Sequence, residues 1–438
     1  MDSIETAYLE KTPRSRAAFE RAGRVMPSVA KGAYYYAPYP VVIDHAEGCH
    51  LYDIDGNRYT DFANHHTAQI LGHRHPAVLE AAEEQMRRGI AVGAPTGVET
   101  ELAEELCRRV PSLEKVRFCN SGTEATLHAI RLARGFSGRP KIAKFEGAYH
   151  GSHDAVEISV APDVTKAGPA DAPLPVPTTG GMSPRAVEEI IILPYDDETA
   201  VERLVATHWS ELACVLLDPR AGVLPPRPEF VRAVREITRI HSVLLVFDEI
   251  VGFRAGTGGI QEVYGIVPDL STYGKIVGGG FPVGAFGGRK DIMALLDPAQ
   301  GPTGFSQSGT FSAHPVTMAA GLAMLRQLTP EAFAHLNALT DRLTTRLQMG
   351  FDDAGFAAQI VSSASAFSVY FTDRVPRTYR DLDATDKRNV RRVFLSLLNQ
   401  GYYLSAGLAM NSLSLPMTEA HIDRLTEATI KAIGEGQS

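Results

Sequence analysis

The sequence predicts a large, doubly wound α/β domain on a mostly parallel sheet, joined to a smaller α+β domain. Three observations predict it. Short, nearly continuous apolar runs recur through the middle of the chain, as buried parallel strands require. Amphipathic helical patterns lie between them. After about Leu328 the pattern changes, with a long helix, an isolated apolar strand and further helices.

Taken in order, "VRFC" (Val116 to Cys119) reads as the first buried strand and "EATLHAIRLARGF" as the helix after it. "KIAKF" (Lys141 to Phe145) and "ACVLL" (Ala213 to Leu217) are further strands. Between these two runs, Val160 to Glu189 is rich in Pro, Gly and Thr, a loop long enough to read as a lid or mobile segment. "EFVRAVREITRIH" has helical spacing, "LLVF" (Leu244 to Phe247) is a strand, and "DLSTYG" is a further short one. In "TPEAFAHLNALTDRLTTRL", Thr329 suits an N-cap and Pro330 the first helical position. "FSVYF", "DKRNVRRVFLSLLNQ", an alternation near "NSLSL" and a helix from about Thr418 complete the small domain. The expected division is residues 1–60 as an N-terminal segment belonging to the small domain and a dimer arm, 61–327 as the large domain and 328–438 as the small one.

Composition narrows the function classes. The 438 residues are 44% hydrophobic with a net charge of -8, a normal globular balance. There is no basic stripe for nucleic acid and no apolar run that spans a bilayer. The start, "MDSIETAYLEKTPRSR", lacks a signal peptide's apolar core. Cys49, Cys107, Cys119 and Cys214 are scattered without metal-site spacing, and a reducing, cytoplasmic setting is expected. His65, His66, His73 and His75 straddle a glycine turn rather than one helix face, so no metal site is expected.

Three stretches carry chemistry. In "RFCNSGTEATLHAIRLA" a strand ends at Cys119 and a helix begins near Thr123, with Ser121 or Asn120 as its cap, Glu124 placed for a capping box and Gly122 allowing a close turn. Free amides and the helix dipole there suit a phosphate, although alone the stretch is an ordinary capped helix. In "LLVFDEIVGFR" Asp248 and Glu249 end an apolar strand. Adjacent residues face opposite ways, so one of them faces a given site, as a ligand's partner, a salt bridge or a helix cap. Lys275, in "STYGKIVGGG", lies in an apolar, tightly turning context that would desolvate its ammonium and free the amine as a nucleophile. A ligand with a phosphate, a protonated ring nitrogen and an aldehyde fits all three: pyridoxal 5'-phosphate. Asp248 would pair with the ring nitrogen and Lys275 would form the Schiff base. "FEGAYHG" supplies Tyr149 as an aromatic plate, with His150 beside it.

With these motifs in view, the chain resembles the class III, fold type I pyridoxal-phosphate aminotransferases, in the branch of the glutamate-1-semialdehyde aminomutases and β-amino acid aminotransferases. The resemblance rests on "NSGTEAT", "KFEGAYHG", "LLVFDEIVGFR", "PDLSTYGKIVGGGFPVGAFGGR" and "SGTFSAHPVTMAAG" and extends over nearly the full length. It implies Lys275 as covalent anchor and proton shuttle, Asp248 as pyridinium partner and Ser121, Gly122 and Thr123 as the phosphate cup. It also implies Tyr149 and Ile250 on the two ring faces. Thr310 would be a phosphate contact across the interface of a homodimer with shared active sites.

The substrate side departs from the family pattern. Where many members have Glu-Pro-x-x-Gly-Glu the chain reads "DPRAGV", with Asp218 for the first glutamate and Val223 for the last. Arg220 there is either an ion-pair partner or a substrate contact. Lys31 stands where an arginine binds carboxylate in relatives, and His66 where an aromatic covers substrate, as a contact or as packing. The expected activity is transfer of an amino group from an amino acid donor to a small oxo acceptor, with a β- or ω-amino substrate within range. The alternative is a glutamate-1-semialdehyde 2,1-aminomutase, favoured by the gating-loop likeness of "TTGGMSPRAVEE". A non-catalytic pyridoxal-fold protein is a third reading.

Overall fold

The structure, a computed structural model, describes residues 3–27, 32–219, 223–300 and 304–435. The chain forms two compact units: Met1–His75 with Glu331–Val375 and Ala384–Ser438, and Pro76–Pro330 with Pro376–Asp383.

The second unit is built on seven strands: β1 (Lys115–Cys119), β2 (Lys141–Phe145), β3 (Ile190–Leu193), β4 (Leu212–Leu217), β5 (Leu244–Asp248), β6 (Leu270–Gly274) and β7 (Gly284–Gly288). Their order in the sheet is β1-β7-β6-β5-β4-β2-β3. Strand β7 runs antiparallel to β1 and β6, while β6, β5, β4, β2 and β3 pair in parallel. Every residue of β4 and β5 is buried, which is why these strands read as unbroken apolar runs.

Helices cover the sheet. Helix α1 (Gly122–Ser137) sets Ala125, Ala129, Ile130 and Ala133 into one cluster with Ile142, Cys214, Val246 and Phe286. Helix α2 (Pro228–Ile240) buries Phe230, Val231, Val234 and Ile237. Each fully buried large apolar side chain contributes about 1.5–3 kcal/mol. Both helices are delimited by sequence: Ser121 caps α1, Gly138 ends it at φ 71, and Pro228 opens α2.

The long loop between β2 and β3 is tied at its stem. The Ser159 amide donates to Val176 O (2.7 Å) and the Thr178 amide to Glu157 O (3.0 Å). Arg380 pairs with buried Glu146 at 3.0 Å and donates to the carbonyls of Gly168, Ala167 and Pro169. The sequence boundaries took 328–438 together; through these bonds Pro376–Asp383 joins the second unit.

The first unit carries a mixed sheet of Ile43–Glu47, His50–Asp53, Arg58–Asp61 and Tyr402–Tyr403, and a second sheet of Gln359–Ser363, Ala366–Tyr370 and Asn411–Ser412. Its helices include Pro13–Ala22, Val390–Asn399 and Glu419–Gly434, with the long helix Pro330–Asp353. Residues up to His75 belong here, past the expected boundary at residue 60, because His73 bonds Asp61 (2.8 Å) and bridges to Gly48. Among the described residues no helix is long and apolar enough to cross a membrane.

Strand β7, "GAFGG", lacks the β-branched residues of an ordinary strand. Its glycines answer close approach: a Cβ on Gly284 would lie 2.0 Å from Ser121 O, and one on Gly287 2.2 Å from Lys115 O. Gly284→Ala is therefore expected to force β7 away from the start of α1, at about 1–3 kcal/mol. Chemical denaturation should show that loss, together with weaker retention of a phosphorylated ligand; unchanged stability and retention would contradict the packing argument.

Candidate active site

Parallel pairing puts Asp248, the last residue of β5, opposite Thr272 of β6. Strand β6 ends at Gly274, and Lys275 follows at φ 51, the first residue of a short 3-10 turn. The two sequence-predicted residues thus leave neighbouring strand ends. Ligands bind beyond the carboxyl ends of such strands.

Asp248 is 3% exposed and fully engaged. Its Oδ2 lies 2.8 Å from Nδ1 of buried His150. Its Oδ1 accepts from Ile250 N (3.1 Å) and from Thr272 Oγ1 (3.2 Å). It is both a helix cap and a carboxylate held in one orientation. Glu249 turns the other way, accepting from the amides of Ile260 (3.0 Å) and Gln261 (2.9 Å) and from Gln261 Nε2 (3.1 Å). Burial pushes the Glu249 carboxyl up to about 7 against those bonds.

Burial also lowers the Lys275 ammonium to about 8, reinforced by Arg254 and opposed by Asp248 and Asp218. Desolvation wins over two carboxylates, so the amine is in reach of neutrality near physiological pH. Gly278 and Gly279 make the covering turn: a Cβ on Gly279, at φ 62, would lie 2.4 Å from Ala320 C of helix α3 (Pro315–Gln327). Val277 O packs just as closely on Gly321.

Ser121, Gly122 and Thr123 form the start of α1. Ser121 Oγ accepts from Glu124 N (3.1 Å), and Glu124 Oε2 accepts from Asn120 N (2.8 Å). The first-turn amides of a helix have no intrahelical acceptor and face an anion. A Cβ on Gly122 would lie 2.7 Å from Ile250 Cδ1, and one on Gly274 3.6 Å from Ile250 Cγ2. Ile250 thereby links the helix start to the Lys275 turn. Tyr149 is 56% exposed, unusual for so large a ring, and its loop rests on α1. Ser152 N donates to Thr123 Oγ1 (3.2 Å), and Thr126 Oγ1 donates to His150 O (2.7 Å). Thr310 is exposed, beside Gly309, where an added Cβ would sit 3.0 Å from Asn120 Nδ2. A bare ring, a glycine-lined helix start, a clamped carboxylate and a desolvated amine together fit the parts of pyridoxal phosphate.

Lys31 and Arg220 fall outside the described residues. His66 belongs to the first unit, where its ring stacks on Tyr34 at 4.6 Å between centroids. It sits in a left-handed turn, Asn64 to Thr67, with φ from 46 to 73. Such backbone is strained by about 1–3 kcal/mol per residue and is held by its surroundings. Asn64 Nδ2 donates to Ser412 O (2.7 Å) and Asn64 N to Asp61 Oδ1 (2.8 Å). Tyr36 is buried, its hydroxyl accepting from Val41 N (2.8 Å), which makes it packing.

Sequence reasoning missed Thr272 and the electrostatic part of Arg254. Thr272 is legible only through strand register. Arg254 is 1% exposed, and burial lowers it to about 9. It ends the "LLVFDEIVGFR" motif, and that ending was the available signal.

The fold and this strand-end arrangement define a fold type I pyridoxal-phosphate enzyme. The chain belongs to the class III aminotransferases, whose family model matches residues 32–433. It is 39% identical to the glutamate-1-semialdehyde 2,1-aminomutase of Rhodopirellula baltica over 96% of each chain. It superposes on an ω-transaminase from Sphaerobacter thermophilus with TM-score 0.93 and 40% identity, covering 97% of this chain and 98% of that one. A β-phenylalanine aminotransferase from Variovorax paradoxus gives TM-score 0.88 and 37% identity over 99% and 98%. The cofactor is pyridoxal 5'-phosphate.

If Lys275 is the residue that captures the cofactor, capture should follow its neutral form. In enzyme stripped of cofactor, the rate at which the visible absorption band grows on adding pyridoxal phosphate should rise about tenfold per pH unit up to about 8 and then level. A rate still climbing at pH 10 would mean that the amine is not desolvated.

Proposed function

We propose that the protein is an aminotransferase that takes nitrogen from a small amino acid donor, of β- or ω-amino type, and delivers it to a separate small oxo acceptor. The observation that carries this reading is the near full-length likeness to the ω-transaminase at TM-score 0.93. The β-phenylalanine aminotransferase supports the same donor class.

Pyridoxal phosphate, when bound, supplies an electron sink for charge developing at the substrate carbon. The remaining work falls to side chains. The amides of Gly122 and Thr123 and the Ser121 hydroxyl would bind the phosphate. Tyr149 and Ile250 would flank the ring, and Asp248, oriented by His150 and Thr272, would accept the ring N–H. Lys275 would anchor the cofactor covalently. Once released, its Nζ would take a proton from the substrate carbon and return it elsewhere on the reacting pair. His66 would contact substrate, as would Lys31 and Arg220. Thr310 would reach the phosphate of a second copy, which makes a homodimer the working unit.

A second reading is a glutamate-1-semialdehyde 2,1-aminomutase, supported by the 39% identity to the Rhodopirellula protein. A half-reaction screen separates the two. Amino donors, β-amino acids among them, are mixed singly with the cofactor-loaded enzyme while its spectrum is followed. A transaminase should convert with several simple donors and then regenerate with an oxo acceptor of a different skeleton. Response only to a diamino or amino-aldehyde compound would sink the transaminase reading. Lys275→Ala should lose both the covalent band and turnover, by at least about 1000-fold in rate. A variant that kept both would remove Lys275 from its assigned role.

A further inference from the structure

The first unit brings three metal-ligating side chains together, far along the sequence from one another. Cys49 follows Gly48 in the tight turn between strands Ile43–Glu47 and His50–Asp53, and His50 opens the second strand. Gly48 takes φ 56. Cys49 is still in the turn, so its side chain and that of His50 converge rather than diverge as on a pleated strand. Cys49 Sγ lies 3.8 Å from His50 Nε2 and 3.7 Å from His421 Nε2, the latter on the first turn of helix Glu419–Gly434. The three donor atoms lie within 4.8 Å of one another. Cys49 is buried and both imidazoles are half-buried, which leaves the cluster a solvent-facing side.

We infer that Cys49, His50 and His421 form a zinc site, with one thiolate and two imidazole ligands and a fourth position open to water. Tetrahedral zinc, with Zn–S about 2.3 Å and Zn–N about 2.0 Å, holds sulfur and nitrogen about 3.5 Å apart. The two sulfur–nitrogen separations need only a few tenths of an ångström of closure, and the two imidazole nitrogens, which lie within 4.8 Å, would draw together to about 3.3 Å by ring rotation. The frame is already rigid. Gly48 exchanges hydrogen bonds with His73, at 3.1 and 2.7 Å. A Cβ on Gly72 would lie 2.6 Å from Gly48 O and 2.7 Å from Pro416 Cγ. That contact clamps the turn to the segment leading into the helix that carries His421.

The proton inventory closes. His421 Nδ1 lies 3.1 Å from Thr418 N and 2.9 Å from Thr418 Oγ1. Without metal, Nδ1 accepts from the Thr418 amide and Nε2 carries the ring proton. With metal on Nε2, that proton moves to Nδ1, which then releases the Thr418 amide to solvent at this exposed position and donates instead to Thr418 Oγ1, the kind of partner that orients ligating histidines. The Cys49 thiol proton leaves to solvent as the Zn–S bond forms. Arg58 and Arg424 lie near the imidazoles and oppose added positive charge, and the new thiolate offsets one unit of it. Spacing along the sequence led to the expectation of no metal site; the proposed site departs from it, resting on the turn geometry and the distant His421.

The test uses the cofactor-loaded enzyme, stripped of metal by a chelator and re-equilibrated with zinc. After gel filtration, mass spectrometry should find about one zinc per chain. Cys49→Ser and His50→Ala should each weaken retention at least about tenfold while the visible cofactor band, reporting the fold, is kept. Cobalt(II) in place of zinc should give a near-ultraviolet thiolate-to-metal band that Cys49→Ser abolishes. No retained zinc, retention in either variant as strong as in the unaltered enzyme, or a cobalt band that survives Cys49→Ser would each overturn the site.

Discussion

The parallel register of β5 with β6 is the constraint on which the candidate site depends. Asp248 faces Thr272 across that pairing, and Lys275 leaves the sheet shortly after. A slip of one residue would send Asp248 to the other face of the sheet, where Glu249 now finds its partners. The register is specified because both strands are buried along their whole length, so each alternative pairing exposes apolar surface or buries a charge without a partner.

Close packing turns that register into a site. Gly284 lets β7 pass against Ser121 O, Gly122 lets α1 begin against Ile250, and Gly279 lets the Lys275 turn rest on α3. The Gly284 and Gly279 contacts are with backbone and the Gly122 contact is with the Ile250 side chain, so the helix start, the apolar residue and the lysine turn are held by close approach at glycine. Preorganisation of this kind is what a site that moves a proton requires.

Much of this was legible in the sequence. The β2, β4 and β5 runs stood out because two-sided burial selects continuous apolar residues. Ser121 and Glu124 marked a helix start through capping chemistry. Strand β7 was not read, because its residues are chosen for close approach rather than for β propensity. The role of Thr272 needed register, which a single sequence does not contain. The division at His75 and the return of Pro376–Asp383 to the larger unit depend on His73 meeting Asp61 and Arg380 meeting Glu146. Long-range ion pairs leave no local pattern. His421 and Cys49 were invisible as a pair for the same reason.

The adjacent carboxylates show how the fold separates two acids of similar chemistry. Glu249 is buried among Gly252, Gly259, Ile260 and Gln261, and a Cβ on Gly259 would lie 2.8 Å from its Oε2. Its acid form is favoured by desolvation first and by the negative charge of Asp248 last, with hydrogen bonds opposing. The sign follows: a carboxyl raised to about 7 in the fold stabilises the native state fully below its ordinary range and loses that contribution as pH rises through about 7. A glutamate in such a place is poorly chosen for stability at neutral pH. Its raised value lessens the negative charge on that side of the strand end at and below neutral pH, which leaves Asp248 as the main carboxylate charge at the end of β5 there. That places the charge beside the desolvated Lys275, where a cationic ring would need it.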